Sequence, residues 1–316
     1  MRWNERIGRR IKLSDLHILL AVAQTRSMAK AAQALAVSNP VVSRSISDLE
    51  HALGVRLLER TRRGVELTSY GQAMLTRSHA AFDELRQGVK DIEFLSDPSR
   101  GEVRIGTTPP LAASFVFAII DRLSRRYPHI RFRVVAEGAN QPTQRQNLKD
   151  RAVDLLIFRK VSTVVDEETS FEFLFDSPYV VAAGASNPLT KRRRIELAEL
   201  MNEPWALPGP DDAFGSFVTD AFRTAGLDYP HPTVITSALE IRANLLRTGR
   251  YLSIIPEFWL QLPGRHPFLK KLPVELPIAG APIGIVALKD RKPSPVVQRF
   301  IDCARDVAKS LPSRNG

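Results

Sequence analysis

The chain has 316 residues, 44% of them hydrophobic and 25% charged, with a formal net charge of +11 and a pI near 10.1. These values fit a soluble globular protein of two or three domains. The densest apolar run, residues 111–120, contains a serine and is too short for a membrane span, while the single Cys303 excludes an internal disulfide framework and fits a reducing cytoplasm.

Residues 1–12 are basic and carry neither an apolar h-region nor a small-residue cleavage site, so no secretory signal is expected and the extension reads as a solvated start. Residues 1–63 hold 12 Lys/Arg against 5 Asp/Glu, residues 64–97 hold 3 against 6, and the remaining 219 hold 30 against 23. Positive charge is densest in the first fifth of the chain, which points to a polyanionic partner there. A first helix is predicted over 13–24 with Leu16, Leu19, Leu20 and Ala23 inward. A second, over 27–35, is capped by Ser27, and its alanines permit close approach. After a short break a third helix opens at Ser38 or Asn39, with Pro40 in its first turn. Val42, Ile46, Leu49 and Leu53 form its apolar stripe; Asn39, Ser43, Ser47 and Glu50 lie opposite. Residues 54–68 read as a hairpin in which Leu57–Leu58 and Val65–Leu67 flank Arg60, Arg62, Arg63 and Gly64. No proline interrupts 68–95, where Leu75, Ser78, Phe82, Leu85, Val89 and Ile92 keep a heptad seam. So narrow an apolar face pairs most simply with its own copy. Residues 96–101 read as a hinge.

Beyond it the pattern alternates strand and helix. EVRIG, IRFRVVAE and VDLLIF are separated by an apolar helix ending at Tyr127 and a polar one. A second series runs YVVAAG, WALP, a helix over 213–225, TVITS, a helix over 238–248 and YLSIIP, closed by IGIVALK and a helix near 294–309. Such alternation argues for two parallel sheets flanked by helices, with a ligand cleft at the strand ends between them.

Two short helices, a tight break and a third helix make a helix-turn-helix, whose last helix enters the major groove when its outward side chains are small. Asn39, Ser43 and Ser47 are suited to base edges, with Ser38 and Pro40 at the helix start. Arg44 suits phosphate or guanine, and Ser27, Lys30, Arg60, Arg62 and Arg63 would hold the backbone. In the second half, Thr107, Thr108 and Pro109 follow the first strand and precede a helix, where hydroxyls and helix amides can hold an anion. Arg159 would add a charge-assisted partner, with Pro208, Gly209 and Ser237 at corresponding strand ends across the cleft. Residues 191–194 (KRRR) read as a solvated face, Cys303 as a helix-core residue. Six scattered histidines and the lack of G-x-G-x-x-G, P-loop or G-x-S-x-G motifs leave no expected metal, cofactor or catalytic set.

Residues 27–71, SMAKAAQALAVSNPVVSRSISDLEHALGVRLLERTRRGVELTSYG, closely resemble the N-terminal region of LysR-type transcriptional regulators, and PWALPG and LLRTGRYLSIIP extend the resemblance. It implies a winged helix-turn-helix over 13–69, a long linker helix over 70–95 and a hinge over 96–101. An α/β two-lobed effector domain of the periplasmic-binding-protein (type II) kind would then span 102–316. Lobe I would take about 102–177 and 282–316, and lobe II about 178–281. The family usually has glutamine where Asn39 stands, so an adenine contact from Asn39 would be at shorter reach. The resemblance further implies a homodimer assembling into a homotetramer, double-stranded promoter DNA as partner, a small-molecule effector of anionic type, and recruitment of RNA polymerase. A solute-binding transport component is the alternative reading of the second half alone; the missing signal segment and the basic N-terminal unit weigh against it.

Overall fold

Three short helices open the structure, a computed structural model that describes residues 10–61, 64–136, 141–160, 167–212, 214–261, 267–277 and 280–311. These are α1 (Leu13–Thr25), α2 (Met28–Ala34) and α3 (Asn39–Leu53), followed by the antiparallel hairpin β1 (Leu58–Thr61) and β2 (Gly64–Leu67). The long helix α4 (Ser69–Ser96) comes next. The chain divides into two compact units: one holds the residues up to Ile92 with Lys149–Arg151, and the other begins at Glu93 and holds the rest.

In the first unit α1 buries Leu16, Ile18, Leu19, Ala21 and Val22. Ile18 and Val22 thus take the inward places expected for Leu20 and Ala23, because α2 and α3 both pack on α1 and widen its covered face. Helix α3 starts after Ser38 with Pro40 in its first turn and stops at Gly54, whose φ of 75° is the left-handed conformation a helix C-cap needs. Its stripe is Val42, Ile46, Leu49 and Ala52, with Leu53 only half-buried. Glu50, expected on the outward face, turns back instead: its Oε1 accepts from the Leu57 and Leu58 amides at 2.7 and 3.1 Å and fixes the entry to the hairpin. At the start of α4 the Thr68 hydroxyl accepts from the Gly71 amide at 3.0 Å. Gly71 is required there, since a Cβ would stand 2.0 Å from the Leu57 carbonyl oxygen.

The seam expected along α4 divides in two. Ser78 is buried, and Phe82 joins the helical core, its ring 5.7 Å from that of His17. Leu85, Val89 and Ile92 are more than half exposed. The expected hinge contains the end of α4 and a turn whose Asp97 Oδ1 accepts from the Ser99 amide and hydroxyl, bonds that hold the Asp97 carboxyl below its ordinary range.

The second unit is built on a five-stranded sheet of β3 (Arg100–Thr107), β4 (His129–Ala136), β5 (Leu155–Arg159), β6 (Thr169–Ser177) and β12 (Ala281–Leu288), in the order β4-β3-β5-β12-β6. Strands β3, β4 and β5 are parallel, whereas β12 runs antiparallel to both β5 and β6. This corrects the all-parallel expectation. Residues 169–177, with Phe171, Phe173 and Phe175 alternating with other residues, carry the period-two signal of a strand and form β6. Helices α5 (Pro109–Leu111) and α6 (Phe117–Arg126), joined by a π-helical turn at Ala112–Val116, and α11 (Pro295–Lys309) cover one face; α7 (Gln141–Lys149) precedes β5.

After Ser177 the chain enters a second sheet, β7 (Tyr179–Gly184) between β10 (Leu252–Pro256) and β11 (Leu269–Lys271), both antiparallel to it. The short strands β8 (Ala206–Leu207) and β9 (Val234–Ile235) are parallel, and a bridge from Trp205 to Leu252 joins them to β10. Helices α8 (Gly215–Thr224), α9 (Leu239–Arg247) and α10 (Phe258–Gln261) complete this part. Phe115, Phe175 and Phe258, with ring centroids 4.9 and 6.1 Å apart, knit the two sheets, each such burial contributing about 2 kcal/mol. Cys303 is buried within α11. Among the described residues no helix is long and apolar enough to cross a membrane.

Candidate nucleic-acid interface and effector site

On α3 the buried stripe leaves Asn39, Pro40, Ser43, Arg44 and Ser47 exposed, together with Ser38 before it. The helix is held from behind by the Ser45 hydroxyl, which donates to Asp15 Oδ1 at 2.7 Å. The outward face therefore carries short hydrogen-bonding groups and one guanidinium on a rigid rod, which is what close approach to base edges requires. Ser27 caps α2, its Oγ accepting from the Lys30 amide at 3.4 Å, and the Lys30 side chain is exposed. Arg60 lies in β1 opposite Val65, while Arg62 and Arg63 lie outside the described residues. So do residues 1–9 of the basic extension.

The expected effector residues fall into different environments. Thr107 ends β3 with its hydroxyl fully buried, donating to the Ile157 carbonyl at 2.9 Å. It bonds the neighbouring strand and is not turned outward, because its side chain falls on the covered face of the sheet. Thr108 is the N-cap residue of α5, with no side-chain capping bond, and Pro109 is exposed beside it. Pro208 is buried, its carbonyl accepting from the Tyr229 hydroxyl at 2.6 Å, and the Gly209 amide donates to Asp212 Oδ2 at 3.0 Å. Ser237 is exposed, and the neighbouring Thr236 hydroxyl accepts the Ala238 amide ahead of α9.

Arg159 sits where the two sheets join. Its Nη1 donates to the carbonyls of Ser177 and Ala281, at 2.7 and 3.0 Å. Those carbonyls lie at the end of β6, where the chain leaves the first sheet, and at the start of β12, where it returns. The guanidinium stacks over Tyr179 at 4.5 Å, the Tyr179 ring is 4.5 Å from Phe214, and Arg242 stacks over Phe214 at 5.4 Å. Arg242, on α9, is 3% exposed, and its Nη1 donates to the Ile254 carbonyl at 2.9 Å. Burial holds the Arg159 guanidinium below its ordinary range, brings Arg242 down to about 10, and pushes the Tyr179 hydroxyl up. Neither guanidinium has a carboxylate at ion-pair distance among the described residues. Arg242 gave no sign in the sequence: it lies mid-helix in an ordinary amphipathic stretch, and only the packing of α9 on β10 reveals it. Among the described residues no group of three His, Cys, Asp or Glu could hold a metal ion.

A winged helix-turn-helix in one unit and a two-sheet α/β domain with a buried cationic junction in the other define a DNA-binding regulator with a ligand-binding domain. Comparison with known proteins gives the family. Residues 13–72 match the bacterial regulatory helix-turn-helix protein model of the lysR family, and residues 96–309 match the LysR substrate binding domain. The chain belongs to the LysR family of transcription regulators, which are not enzymes. It is 26% identical over 294 residues to the transcriptional dual regulator GltC of Bacillus subtilis, covering 92% of this chain and 96% of that one. To the uncharacterized HTH-type transcriptional regulator YdcI of Escherichia coli it is 26% identical over 313 residues, 99% of this chain and 100% of YdcI. In fold it resembles a full-length OxyR variant from Pseudomonas aeruginosa, with a TM-score of 0.65 and 21% identity over 98% of this chain and 100% of that one. It also resembles full-length CbnR complexed with its target DNA, with a TM-score of 0.52 and 22% identity over 94% and 99% of the two chains.

Proposed function

We propose that this LysR-family regulator is cytoplasmic, works as a homodimer or a tetramer built from it, and needs no cofactor. It would read an interrupted promoter palindrome through Asn39, Ser43 and Ser47, held on the phosphates by Ser27, Lys30, Arg44 and the hairpin arginines Arg60, Arg62 and Arg63. A small anionic effector would bind at the junction of the two sheets, with Arg159 as its principal partner and Thr108, Pro109, Pro208, Gly209 and Ser237 around it. Binding would alter how the two sheets close on one another, and through that the assembly state on DNA and the access of RNA polymerase; a ligand does this only by binding one state more tightly. The observation that carries the DNA part is α3 itself, a helix with a fully buried stripe and an exposed face of small polar groups. The CbnR likeness, a structure with target DNA, supports it.

The test is selection and sequencing of the DNA fragments bound by the purified full-length protein. Two half-sites about one helical turn apart, or a multiple of that, are expected. Asn39→Ala should change the preferred bases, whereas Arg44→Ala should weaken binding to all sequences and flatten its salt dependence. Recovery of random fragments, or uniform loss in Asn39→Ala, would sink the base-reading role. An isolated solute-binding function is disfavoured by the fused recognition unit.

A further inference from the structure

We propose that the junction site takes a dicarboxylate, one acid group on Arg159 and the other on Arg242, with the intervening carbon frame lying along Tyr179 and Phe214. This rests on the effector reading above and specifies its ligand by counting charges. Both guanidinium groups are buried, and among the described residues what they touch is neutral. Arg159 donates to two carbonyls, and Arg242 to the Ile254 carbonyl and, at 3.4 Å, to the Ser253 hydroxyl. Dipoles of this kind solvate a cation without neutralising it. Asp176 and Glu240 act on Arg159 and Arg242 only from beyond ion-pair distance. An isolated buried charge is among the least favourable arrangements a fold can hold, and is retained where a partner arrives.

Among the described residues each arginine also keeps one buried nitrogen donor with no hydrogen-bond partner: Nη2 of Arg159 and Nε of Arg242. These are two separate unsatisfied donors, one beside the end of β5 and one on α9, hence on opposite sheets. The rings of Tyr179 and Phe214, in contact with one another, link the two guanidinium groups, Arg159 lying over Tyr179 and Arg242 over Phe214. A monocarboxylate would satisfy one arginine and leave the other charged and unpaired. One phosphate offers a single compact charge, with no apolar frame to lie along the two rings, which are tilted by 39° to one another. Two acid groups on a spacer match the donors, the charge and the apolar wall together.

The experiment measures binding to the full-length protein by titration calorimetry and thermal shift. The probes are the straight-chain diacids from succinate to sebacate, each beside the monoacid of equal carbon number, with inorganic phosphate as a third arm. At least one diacid should raise the thermal midpoint and bind at least tenfold more tightly than its monoacid. Arg159→Met and Arg242→Met should each abolish that preference, and without ligand each should melt at or above the parent temperature, since a buried uncompensated charge has been removed. Arg159→Lys and Arg242→Lys, which keep the charge but lose the fork, should bind the same diacid about tenfold more weakly. They decide the matter if a Met variant fails to fold. Binding by no diacid, equal binding of diacid and monoacid, tighter binding of phosphate, or a preference that survives in either Lys variant at full strength would overturn the proposal. Failure of the DNA selection described above would refute the regulator's base-reading role without touching these titrations, so the two readings fall separately.

Discussion

Asp154 accepts from Arg104 Nη2 and Arg291 Nη2, each at 2.7 Å, and from the Arg104 amide at 2.8 Å, with its side chain almost wholly buried. Removing its charge takes the shared carboxylate from two buried guanidinium groups, so Asp154→Asn should destabilise the second unit by about 3–5 kcal/mol. Urea denaturation followed by circular dichroism would show it, and a loss below about 1 kcal/mol would mean that the arginines find other partners. Tyr229 offers a pH signature. Burial pushes its hydroxyl from 10.0 to about 12. The folded state thus favours the neutral phenol, a contribution fully present below pH 10 and lost as pH rises from 10 towards 12. Tyr229→Phe should cost about 1 kcal/mol at neutral pH through its lost bond to the Pro208 carbonyl, and its melting temperature should fall less steeply than the parent's over that alkaline window. Parallel melting curves would refute the assignment. Neither residue announced itself in the sequence, because Asp154 and Tyr229 find their partners 50 and 21 residues away.

Among the elements, the turn between α2 and α3 holds Ala36 at φ 53°, a left-handed conformation that an alanine adopts only under strain. The turn still closes, through Val37 N donating to the Ala32 carbonyl at 3.0 Å. Ala36→Gly should relieve that strain at the expense of a more flexible unfolded chain, a net gain of about 0.5–1 kcal/mol. A higher melting temperature for the helical unit with unchanged DNA affinity is the expected result; a lower one would place the strain elsewhere. This scale also shows what the chain's local pattern can reveal. Helix α3 was legible because its proline, its apolar spacing and its Gly54 stop are all local signals. The inward turn of Glu50 is not legible from local pattern, because its partners are backbone amides of the hairpin that follows. The direction of β12 was not legible either: an apolar strand looks the same whichever way it runs, and its pairing with β5 lies more than a hundred residues back. The place of Thr107 before a helix suggests a ligand contact, yet which face of a strand a side chain occupies is settled by the sheet's cover.

For the whole molecule the decisive question is how two copies meet. Leu85, Val89 and Ile92 follow one another at heptad spacing on α4 and are 52%, 55% and 65% exposed, an apolar strip with no cover among the described residues of its own chain. Left in water such a strip is unfavourable by about 25 cal/mol for each Å², and the facing strip of a second copy is its simplest cover. Phe82 belongs to the same sequence seam but is a poor site to test this, since its ring packs in the core of the helical unit and its loss would unfold that unit. Val89→Lys with Ile92→Lys places two like charges where the strips would meet and leaves that core intact. Sedimentation velocity should then report a monomer whose helical signal matches the parent. Operator affinity should fall by roughly a hundredfold or more, because each recognition helix would bind its half-site alone and forfeit the effective concentration that a linked partner supplies. Diacid binding by the monomer should persist, since Arg159 and Arg242 belong to one chain. A dimer that survives both lysines would move the self-contact off α4, and a monomer that binds the full operator as tightly as the parent would remove the need for two linked half-sites.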